Sequence, residues 1–275
     1  MQLSAISIYP VKGCRRTELS EAVVGRSGLV GDRQWMVVQP NGRFLTQRTH
    51  PALARIVPRL TGRGIELTHP GRAPLVVDLS AADARIEVII WSRTATARDA
   101  GEAAADWLTA VLGVASRLVT IGPETRMVAN RAYVGERDVP VAFADGFPVL
   151  LCNGASLDEL NRRLSVPLPM ERFRPNLVIT GLGPFAEDRI GRLRIGAVEF
   201  RFVKPCVRCV VPSIDQTSGE HSTDPTPALK AFRYDRALKG VTFGVNATVE
   251  SPPGAVVAVG NPVEVLEELH PLAVG

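Results

Sequence analysis

The sequence predicts a β-rich α+β protein with few helices, organised as two domains. Short segments in which apolar and polar residues alternate recur along the chain, separated by Gly and Pro turns. Two segments have the period of an amphipathic helix instead. The 275 residues are 45% hydrophobic, which is enough to bury one large core or two modest ones. A polar stretch with little periodicity begins at Gly122-Pro123, so we place the boundary between domains of residues 1–122 and 123–275.

The first domain is predicted to be a curled sheet or partial barrel. Its predicted strands are residues 3–11, 34–39, 43–48, 54–60, 65–68, 75–79, 86–96 and 117–121. Pro40-Asn41-Gly42 predicts a hairpin turn between the second and third of these strands. One helix is predicted over residues 102–112, because its apolar residues fall on one face and Gly113 follows it. Asp99 and Glu102 have the spacing of a capping box.

The second domain is predicted to continue the pattern of short strands with one helix. Its predicted elements are a strand from residue 139, a helix over residues 156–164, a strand over 177–180, strands on both sides of residues 206–209, and closing strands over 242–249, 256–259 and 263–266. Residues 181–186 fit the dinucleotide pattern G-x-G-x-x-A, but Pro184 and Phe185 crowd the turn and no crossover helix follows. We interpret that segment and residues 215–219 as turns.

Cys206 and Cys209 have Cys-x-x-Cys spacing on a predicted turn after a strand. Pro205 interrupts the strand just before them. Lys204 and Arg208 flank the two thiols, and a nearby cation favours the thiolate, which is the form that attacks electrophiles or binds soft metals. The turn is therefore predicted to present sulfur.

Four interpretations of this turn compete. A structural zinc site needs four ligands, but Cys14 and Cys152 are isolated and the histidines are scattered. A thioredoxin-like pair belongs at the start of a helix, whereas valines follow Cys209 directly. Two interpretations stay open from the residues alone: half-buried core cysteines, and one thiolate that ligates the metal of a bound cofactor.

Several motifs together resemble one known family, the molybdenum cofactor sulfurase C-terminal (MOSC) domain proteins. The motifs are RFRPN at residues 172–176, KPCVRC at 204–209, YPVKGC at 9–14 and GLVGDRQW at 28–35. The first two resemble the MOSC domain, and the last two resemble its usual N-terminal partner domain. The resemblance implies two β-barrel-like domains, the MOSC N-terminal domain at residues 1–122 and the MOSC domain at 123–275. It is strongest to members that reduce N-hydroxylated compounds such as amidoximes.

The resemblance also implies a molybdenum cofactor of the molybdopterin type. This group needs cations for its phosphate and a soft ligand for its metal. The residues that match the cofactor-lining positions of the family are Lys12, Arg33, Arg174, Asn176, Arg208 and Cys209. Among these, Cys209 matches the metal ligand, while the role of Cys206 stays open. Asp145 matches an acidic position near the metal, where a carboxylate would handle protons during reduction, or it is a turn residue beside Gly146.

Arg33 and Arg174 have local contexts that support an anion site. Arg33 precedes Trp35 at the start of a predicted strand, and Arg174 stands between Phe173 and Pro175. Cations placed among residues of these types need anionic partners.

The function implied by the resemblance is reduction of N-hydroxylated compounds by a molybdenum-dependent oxidoreductase, with electrons from a separate ferredoxin- or cytochrome-type carrier. A persulfide carrier, or a cofactor-binding or delivery protein without reductase activity, is the alternative. The family is also associated with pyridoxal phosphate through the sulfurases that carry this domain, but no lysine here has the context of a Schiff base.

Composition argues against several other partners and locations. The net charge of +4 is not concentrated in a Lys/Arg block with interleaved aromatic residues, so we expect no nucleic-acid binding. No signal peptide and no apolar stretch of about 18 residues is present, so we expect no membrane association. The four cysteines do not form a disulfide framework, and we expect a cytoplasmic protein.

Overall fold

The computed structural model describes residues 1–269, within which the chain is mostly strands with four α-helices. This confirms the predicted β-rich α+β class. Residues 270–275 of the predicted second domain lie outside the described part of the chain.

The strands of the first half are β1 (Gln2–Ile8), β2 (Val11–Lys12), β3 (Thr17–Leu19), β4 (Glu21–Gly25), β5 (Gly28–Leu29), β6 (Trp35–Val38), β7 (Val57–Leu60), β8 (Gly64–His69), β9 (Arg72–Asp78), β10 (Ala84–Ile90), β11 (Arg93–Asp99) and β12 (Arg117–Thr120). Those of the second half are β13 (Val149–Asn153), β14 (Leu177–Thr180), β15 (Ile190–Ile195), β16 (Val198–Val207), β17 (Tyr234–Asp235), β18 (Gly240–Val249), β19 (Val256–Ala258) and β20 (Val263–Glu268). The α-helices are α1 (Glu102–Leu112), α2 (Arg131–Val134), α3 (Gly154–Asn161) and α4 (Thr226–Arg233). Short 3-10 helices are Pro51–Arg55, Leu79–Ala81, Met170–Phe173, Ala186–Arg189 and Val211–Ser213.

The strands form four sheets. The largest has nine strands in the order β20-β15-β16-β18-β13-β14-β1-β3, with β17 paired to β18. A five-stranded sheet has the order β10-β11-β12-β6-β2, and two three-stranded sheets are β19-β4-β5 and β7-β8-β9. The pairings within residues 1–269 leave every sheet open, so the barrel-like form implied by the resemblance is not a closed barrel.

Two of these sheets contain strands from both halves of the sequence. Strand β1 pairs antiparallel with β14, where Ile6 lies opposite Leu177, and β4 pairs with β19, where Val23 lies opposite Val256. The large sheet buries one side against a core of aliphatic and aromatic residues that includes Ile6 and Phe200. The division at residues 122 and 123 stays a prediction about the sequence, and the large sheet crosses it. This crossing brings the N-terminal motifs next to the second half of the chain.

Helix α1 has the predicted bounds, but its N-terminal cap differs from the prediction. Gly101 occupies the cap position with a φ of 87°, and Oδ1 of Asp99 accepts a hydrogen bond from the Gly101 backbone N–H (2.7 Å). The Asp99 carboxylate and Glu102 both pair with Arg117. The predicted capping box is therefore wrong, because Arg117 of strand β12 forms ion pairs with both carboxylates.

Other differences concern where strands begin and end. Residues 43–48 do not form the predicted strand; isolated bridges join Phe44 to Val38 and Arg43 to Ile89. The predicted strand over residues 86–96 is a hairpin, β10 and β11, and the strand predicted from residue 139 begins at Val149. Helices α2 and α4 were not predicted, since they span only four and eight residues and give a weak periodic signal.

Candidate active site

All seven residues predicted for the site line one cavity. They are Lys12, Arg33, Asp145, Arg174, Asn176, Arg208 and Cys209. The cavity lies where β2, the segment before β6, residues 144–147, the segment before β14 and the end of β16 come together. The structure thus brings the predicted residues together, while their individual roles stay predictions.

The pairing of β1 with β14 explains why residues distant in sequence meet here. The backbone N–H of Ser7 donates to the carbonyl oxygen of Asn176 (2.8 Å), at the point where β1 ends and β14 begins. The YPVK segment leaves β1 at this point, and the FRPN segment enters β14 at the same point. Lys12 and Arg174 therefore line the same cavity.

Tyr9 holds the two arginines of one side of the cavity. The guanidinium carbons of Arg33 and Arg174 lie over its ring, 4.4 and 4.2 Å from the centroid. Its hydroxyl donates to the carbonyl oxygen of Pro175 (3.1 Å), and burial raises the pKa of Tyr9 to about 12 against the opposing effect of both arginines. We call Tyr9, Arg33, Arg174 and Asn176 the arginine frame.

Within the frame, Asn176 orients Arg33. Its Oδ1 accepts hydrogen bonds from Nη1 of Arg33 (2.9 Å) and from the backbone N–H of Leu150 (3.1 Å), and its Nδ2 donates to the carbonyl oxygen of Ser7 (3.2 Å). Burial would lower the pKa of the Arg33 guanidinium, but its ion pair with Asp32 and the nearby Tyr9 and Asp145 together raise it. The Asn176 amide is thus engaged inside the protein, and its contribution to the cavity is to position Arg33.

Arg174 is positioned by a pair of buried amides. Its Nη1 donates to Oε1 of Gln216 (3.0 Å), and its Nη2 donates to the carbonyl oxygen of Cys14 (2.8 Å). Gln216 and Gln47 exchange two hydrogen bonds of 3.0 Å. Burial lowers the pKa of Arg174, which favours an anion as a further partner.

Sequence reasoning missed these supporting residues. Gln216 lies in the segment over residues 215–219, which does form the predicted turn, with the Gly219 backbone N–H bonded to the Asp215 carbonyl oxygen (2.8 Å). Nothing in the sequence separates Gln47 or Gln216 from surface glutamines. Tyr9 had a signal, because it is the first residue of the YPVK motif.

Lys12 and Asp145 form an ion pair in the cavity. The Lys12 ammonium also donates to the carbonyl oxygen of Phe143 (2.8 Å), and burial lowers the pKa of Lys12 despite the partner carboxylate. The walls of the cavity partly desolvate the Asp145 carboxylate, which would raise its pKa, but Lys12 and a hydrogen bond from the Trp91 indole outweigh this effect and hold the pKa well below its ordinary value. The Asp145 side chain is 66% exposed, and its carboxylate is therefore ionised and accessible near neutral pH.

The cysteine turn forms the other side of the cavity. Cys206 lies near the end of β16 and Cys209 follows the strand, and both side chains are half-buried and line the cavity. Nη1 of Arg208 lies 3.1 Å from Sγ of Cys206, and its Nη2 donates to the carbonyl oxygen of Phe173 (2.9 Å). Within residues 1–269, the buried Nε of Arg208 has no hydrogen-bond partner. The turn thus holds an unsatisfied cationic donor beside two accessible thiols.

The structure refines which cation flanks the thiols of the turn and shows where the two isolated cysteines lie. Lys204 was expected beside the thiols, but its ammonium lies over the Tyr133 ring, 4.4 Å from the centroid. Arg208 is therefore the flanking cation that contacts the turn. The isolated Cys14 and Cys152 are buried, and burial raises the pKa of both thiols, that of Cys14 to about 12.

The donor set of the cavity suits an anion that carries a soft metal. Lys12, Arg33, Arg174 and Arg208 stand against the carboxylates of Asp32 and Asp145, which leaves an excess of two positive charges. No group of three or more His, Cys, Asp or Glu in the described chain is arranged to hold a metal ion. A metal bound by Cys209 would thus need most of its ligands from a partner molecule, as a dithiolene-bearing cofactor provides.

None of the helices within residues 1–269 has the length and apolar character needed to cross a membrane.

Comparisons with known proteins agree with the two sets of motifs. Residues 1–115 match the MOSC N-terminal beta barrel domain, and residues 138–264 match the MOSC domain. The mitochondrial amidoxime reducing component 2 of Rattus norvegicus is 33% identical over 281 residues, which cover 95% of this chain and 82% of that protein. The mitochondrial amidoxime-reducing component 1 of Homo sapiens is 33% identical over 278 residues, which cover 94% and 81%.

The chain is also similar to a molybdenum cofactor sulfurase and, weakly, to one solved structure. The molybdenum cofactor sulfurase of Drosophila grimshawi is 30% identical over 274 residues, which cover 96% of this chain and 34% of that protein. The crystal structure of the YuaD protein from Bacillus subtilis covers 95% of this chain and 93% of its own, with a TM-score of 0.40 and 9% identity, and carries no argument here. From the two domain matches and the relatives that share most of its length, this chain belongs to the MOSC family.

Proposed function

We propose that this chain holds a molybdenum cofactor in the cavity and reduces N-hydroxylated compounds with electrons from a separate carrier protein. The observation that carries the proposal is the joint presence of accessible Cys209 and an excess of positive charge in one cavity. The names of the amidoxime-reducing relatives support the reaction class. The name of the sulfurase supports a function related to the molybdenum cofactor.

Each part of the cofactor has residues that would hold it. The Cys209 thiolate would bind the metal, and the arginine frame with Arg208 and Lys12 would bind the anionic parts. The Arg208 guanidinium lines the cavity beside the thiols and would add its positive charge to the anion site. When bound, the cofactor would supply the two-electron redox chemistry of the reaction.

In the proposed reaction the N–O bond of the substrate breaks and its oxygen leaves as water. Two electrons and two protons are consumed, and an N–H bond replaces the N–OH group. The apolar side chains of Phe44, Phe147 and Phe173 line the cavity and give it an apolar wall beside its charged residues. Proton handling by Asp145 stays a prediction; its lowered pKa favours a hydrogen-bond acceptor over an acid near neutral pH.

The electrons are proposed to come from a separate protein because residues 1–269 offer no evident nicotinamide site. The G-x-G-x-x-A segment is followed by the short 3-10 helix Ala186–Arg189 and not by a crossover helix. A ferredoxin- or cytochrome-type carrier would fill this role.

The test is to express the chain in a host that makes the cofactor, then measure metal content and turnover. We expect molybdenum and pterin in equimolar amounts with the chain, and reduction of an amidoxime with reduced viologen as the electron donor. NADH or NADPH alone should give no turnover. Turnover with purified chain and nicotinamide alone would contradict the need for a carrier, and repeated absence of metal and pterin would contradict the reductase.

A second candidate function is a carrier of sulfur or of the cofactor itself. The similarity to the molybdenum cofactor sulfurase over nearly the whole chain favours it. In that case Cys209 would hold a persulfide, which mass spectrometry would detect as one added sulfur that is lost in Cys209→Ser. Cofactor that binds without supporting turnover would indicate the delivery role.

A further inference from the structure

Trp91 occupies a turn position that disfavours its side chain. It is the first of two residues in the turn between β10 and β11, since Ile90 pairs with Arg93. Its φ of 57° lies in the left-handed region, which Gly adopts easily and a bulky residue adopts only at an energetic cost. Its side chain is also 41% exposed, so burial does not explain its presence. A large aromatic residue in such a conformation points to a role in what it contacts.

Two of the contacts of Trp91 are with residues of the cavity wall. Its indole Nε1 donates to Oδ1 of Asp145 (3.0 Å), and its ring packs edge-on against Phe44 with centroids 4.8 Å apart. Both of these partners line the cavity. The Arg48 guanidinium lies over the indole, 4.4 Å from the centroid. Trp91 therefore supports the cavity wall from outside.

The indole also decides which oxygen of Asp145 is available. Lys12 and Trp91 both bond to Oδ1 of the carboxylate. In the described part of the chain, Oδ2 has no hydrogen-bond partner, although the side chain lines the cavity and is 66% exposed. Arg93 adds a second restraint, because its Nη2 donates to the backbone carbonyl oxygen of Asp145 (3.1 Å). The carboxylate is thus held at one oxygen with the other left as an acceptor.

We propose that Trp91 is a positioning residue that fixes Asp145 so that its Oδ2 accepts a hydrogen bond from the hydroxyl of an N-hydroxylated substrate. The proposal rests on the proposed function and narrows its substrate class. An acceptor at Oδ2 of Asp145 favours compounds with a free N–OH donor over compounds in which that oxygen is alkylated. Phe44, held by the same indole, provides an apolar wall beside this acceptor, which suits a substrate with a flat aromatic group next to its N–OH group.

The test compares an aromatic amidoxime with its O-methyl ether on the cofactor-loaded protein. Trp91→Phe keeps an aromatic ring against Phe44 and removes only the N–H donor. We expect it to raise KM for the amidoxime about tenfold, the effect of losing one well-placed hydrogen bond to a charged group, and to change kcat less than about twofold. The inhibition constant of the ether should stay the same, because it has no hydroxyl to donate. Reduced viologen supplies the electrons.

Trp107→Phe is the matched control, because the Trp107 indole also donates to an oxygen, the Ala73 carbonyl (2.8 Å), but away from the cavity. It should leave both constants unchanged. Equal weakening of amidoxime and ether in Trp91→Phe, or a loss of kcat with KM unchanged, would overturn the proposal. If Trp91→Phe does not fold, Asp145→Asn must abolish the preference for amidoxime over ether, and a retained preference is the overturning result.

The outcome is separable from that of the proposed function. If the wild-type protein does not turn over the amidoxime, direct binding of both compounds is measured by calorimetry. A tighter binding of the amidoxime that Trp91→Phe removes would support the positioning role without any reductase activity. Equal binding of the two compounds to the wild-type protein would overturn it.

Discussion

The arginine frame and the cysteine turn line the same cavity but differ in how fully their polar groups are satisfied. In the frame, Asn176 is 1% exposed and engaged in three hydrogen bonds, and the arginines are tied to Tyr9. In the turn, two half-buried thiols accompany an arginine whose Nε has no partner in the described chain. The difference indicates that protein contacts alone hold the frame, whereas the turn keeps groups that folding leaves without full hydrogen bonding.

This comparison separates two kinds of variant. Changes in the frame should lower both protein stability and cofactor retention, since the same contacts serve folding and the cavity. Changes at the thiols should affect the ligand with little cost to folding. The following predictions test that separation, from the largest effect to the smallest.

Cys209→Ser should abolish molybdenum retention and turnover, because a hydroxyl is a harder and less ionised ligand than a thiolate. The free energy of unfolding without cofactor should change by less than about 0.5 kcal/mol, as for substitutions away from the core. Elemental analysis and denaturant unfolding measure the two effects. Cys206→Ser is the matched variant and should retain most of the metal. An equal loss in both variants would indicate a site that uses both thiols.

Asn176→Ala should lower the free energy of unfolding by about 2–4 kcal/mol, because it leaves the Leu150 N–H and the Ser7 carbonyl without a side-chain partner and releases Arg33. Denaturant unfolding measures the loss. The control is Asn130→Ala, which removes an exposed helix cap and should cost about 1 kcal/mol. If both substitutions cost the same, the frame is not the internally satisfied structure described above.

Arg33→Ala and Arg174→Ala should each weaken cofactor binding by about 1.5–3 kcal/mol for every charged hydrogen bond lost. The cause is the removal of a buried cation from the anion site. Retained molybdenum and pterin after extended dialysis, compared with wild-type protein, measures the effect. A variant that keeps its full complement of cofactor would show that its arginine serves the fold alone.

Asp145→Asn should have a small effect on the free energy of unfolding, and one that depends on pH. Desolvation by the surrounding cavity walls raises the pKa of Asp145 in the folded protein, but the Lys12 ammonium and the hydrogen bond from Trp91 together lower it by more. The net pKa lies below the unfolded value of about 3.9. Its stabilisation is therefore present above about pH 4 and is lost as the pH falls through the folded-state pKa.

Because the side chain is 66% exposed, wild-type and Asp145→Asn proteins should differ by less than about 1 kcal/mol in free energy of unfolding at pH 7. Urea unfolding at pH 7 and at pH 3 gives the comparison. A difference that is the same at both pH values would mean that the substitution acts through packing and not through the Lys12 ion pair.

The parts of the fold that were predicted well depend on neighbours in sequence. Helix α1 has the predicted bounds because its apolar period and the left-handed Gly113 are local signals. Strand β14 also has the predicted bounds. The strand predicted over residues 43–48 was wrong, because alternation alone does not provide a partner strand.

The sequence by itself determined the β-rich class, and its motifs indicated seven of the residues that line the cavity. Only the tertiary structure decided which of them are free to meet a ligand. Arg33 meets Asn176 across 143 positions, Gln47 meets Gln216 across 169, and Trp91 meets Asp145 across 54. Such contacts cannot be recognised in a local sequence pattern, because they depend on how distant segments such as β1, β14 and the β10–β11 hairpin pack together. That packing depends on interactions along the whole chain.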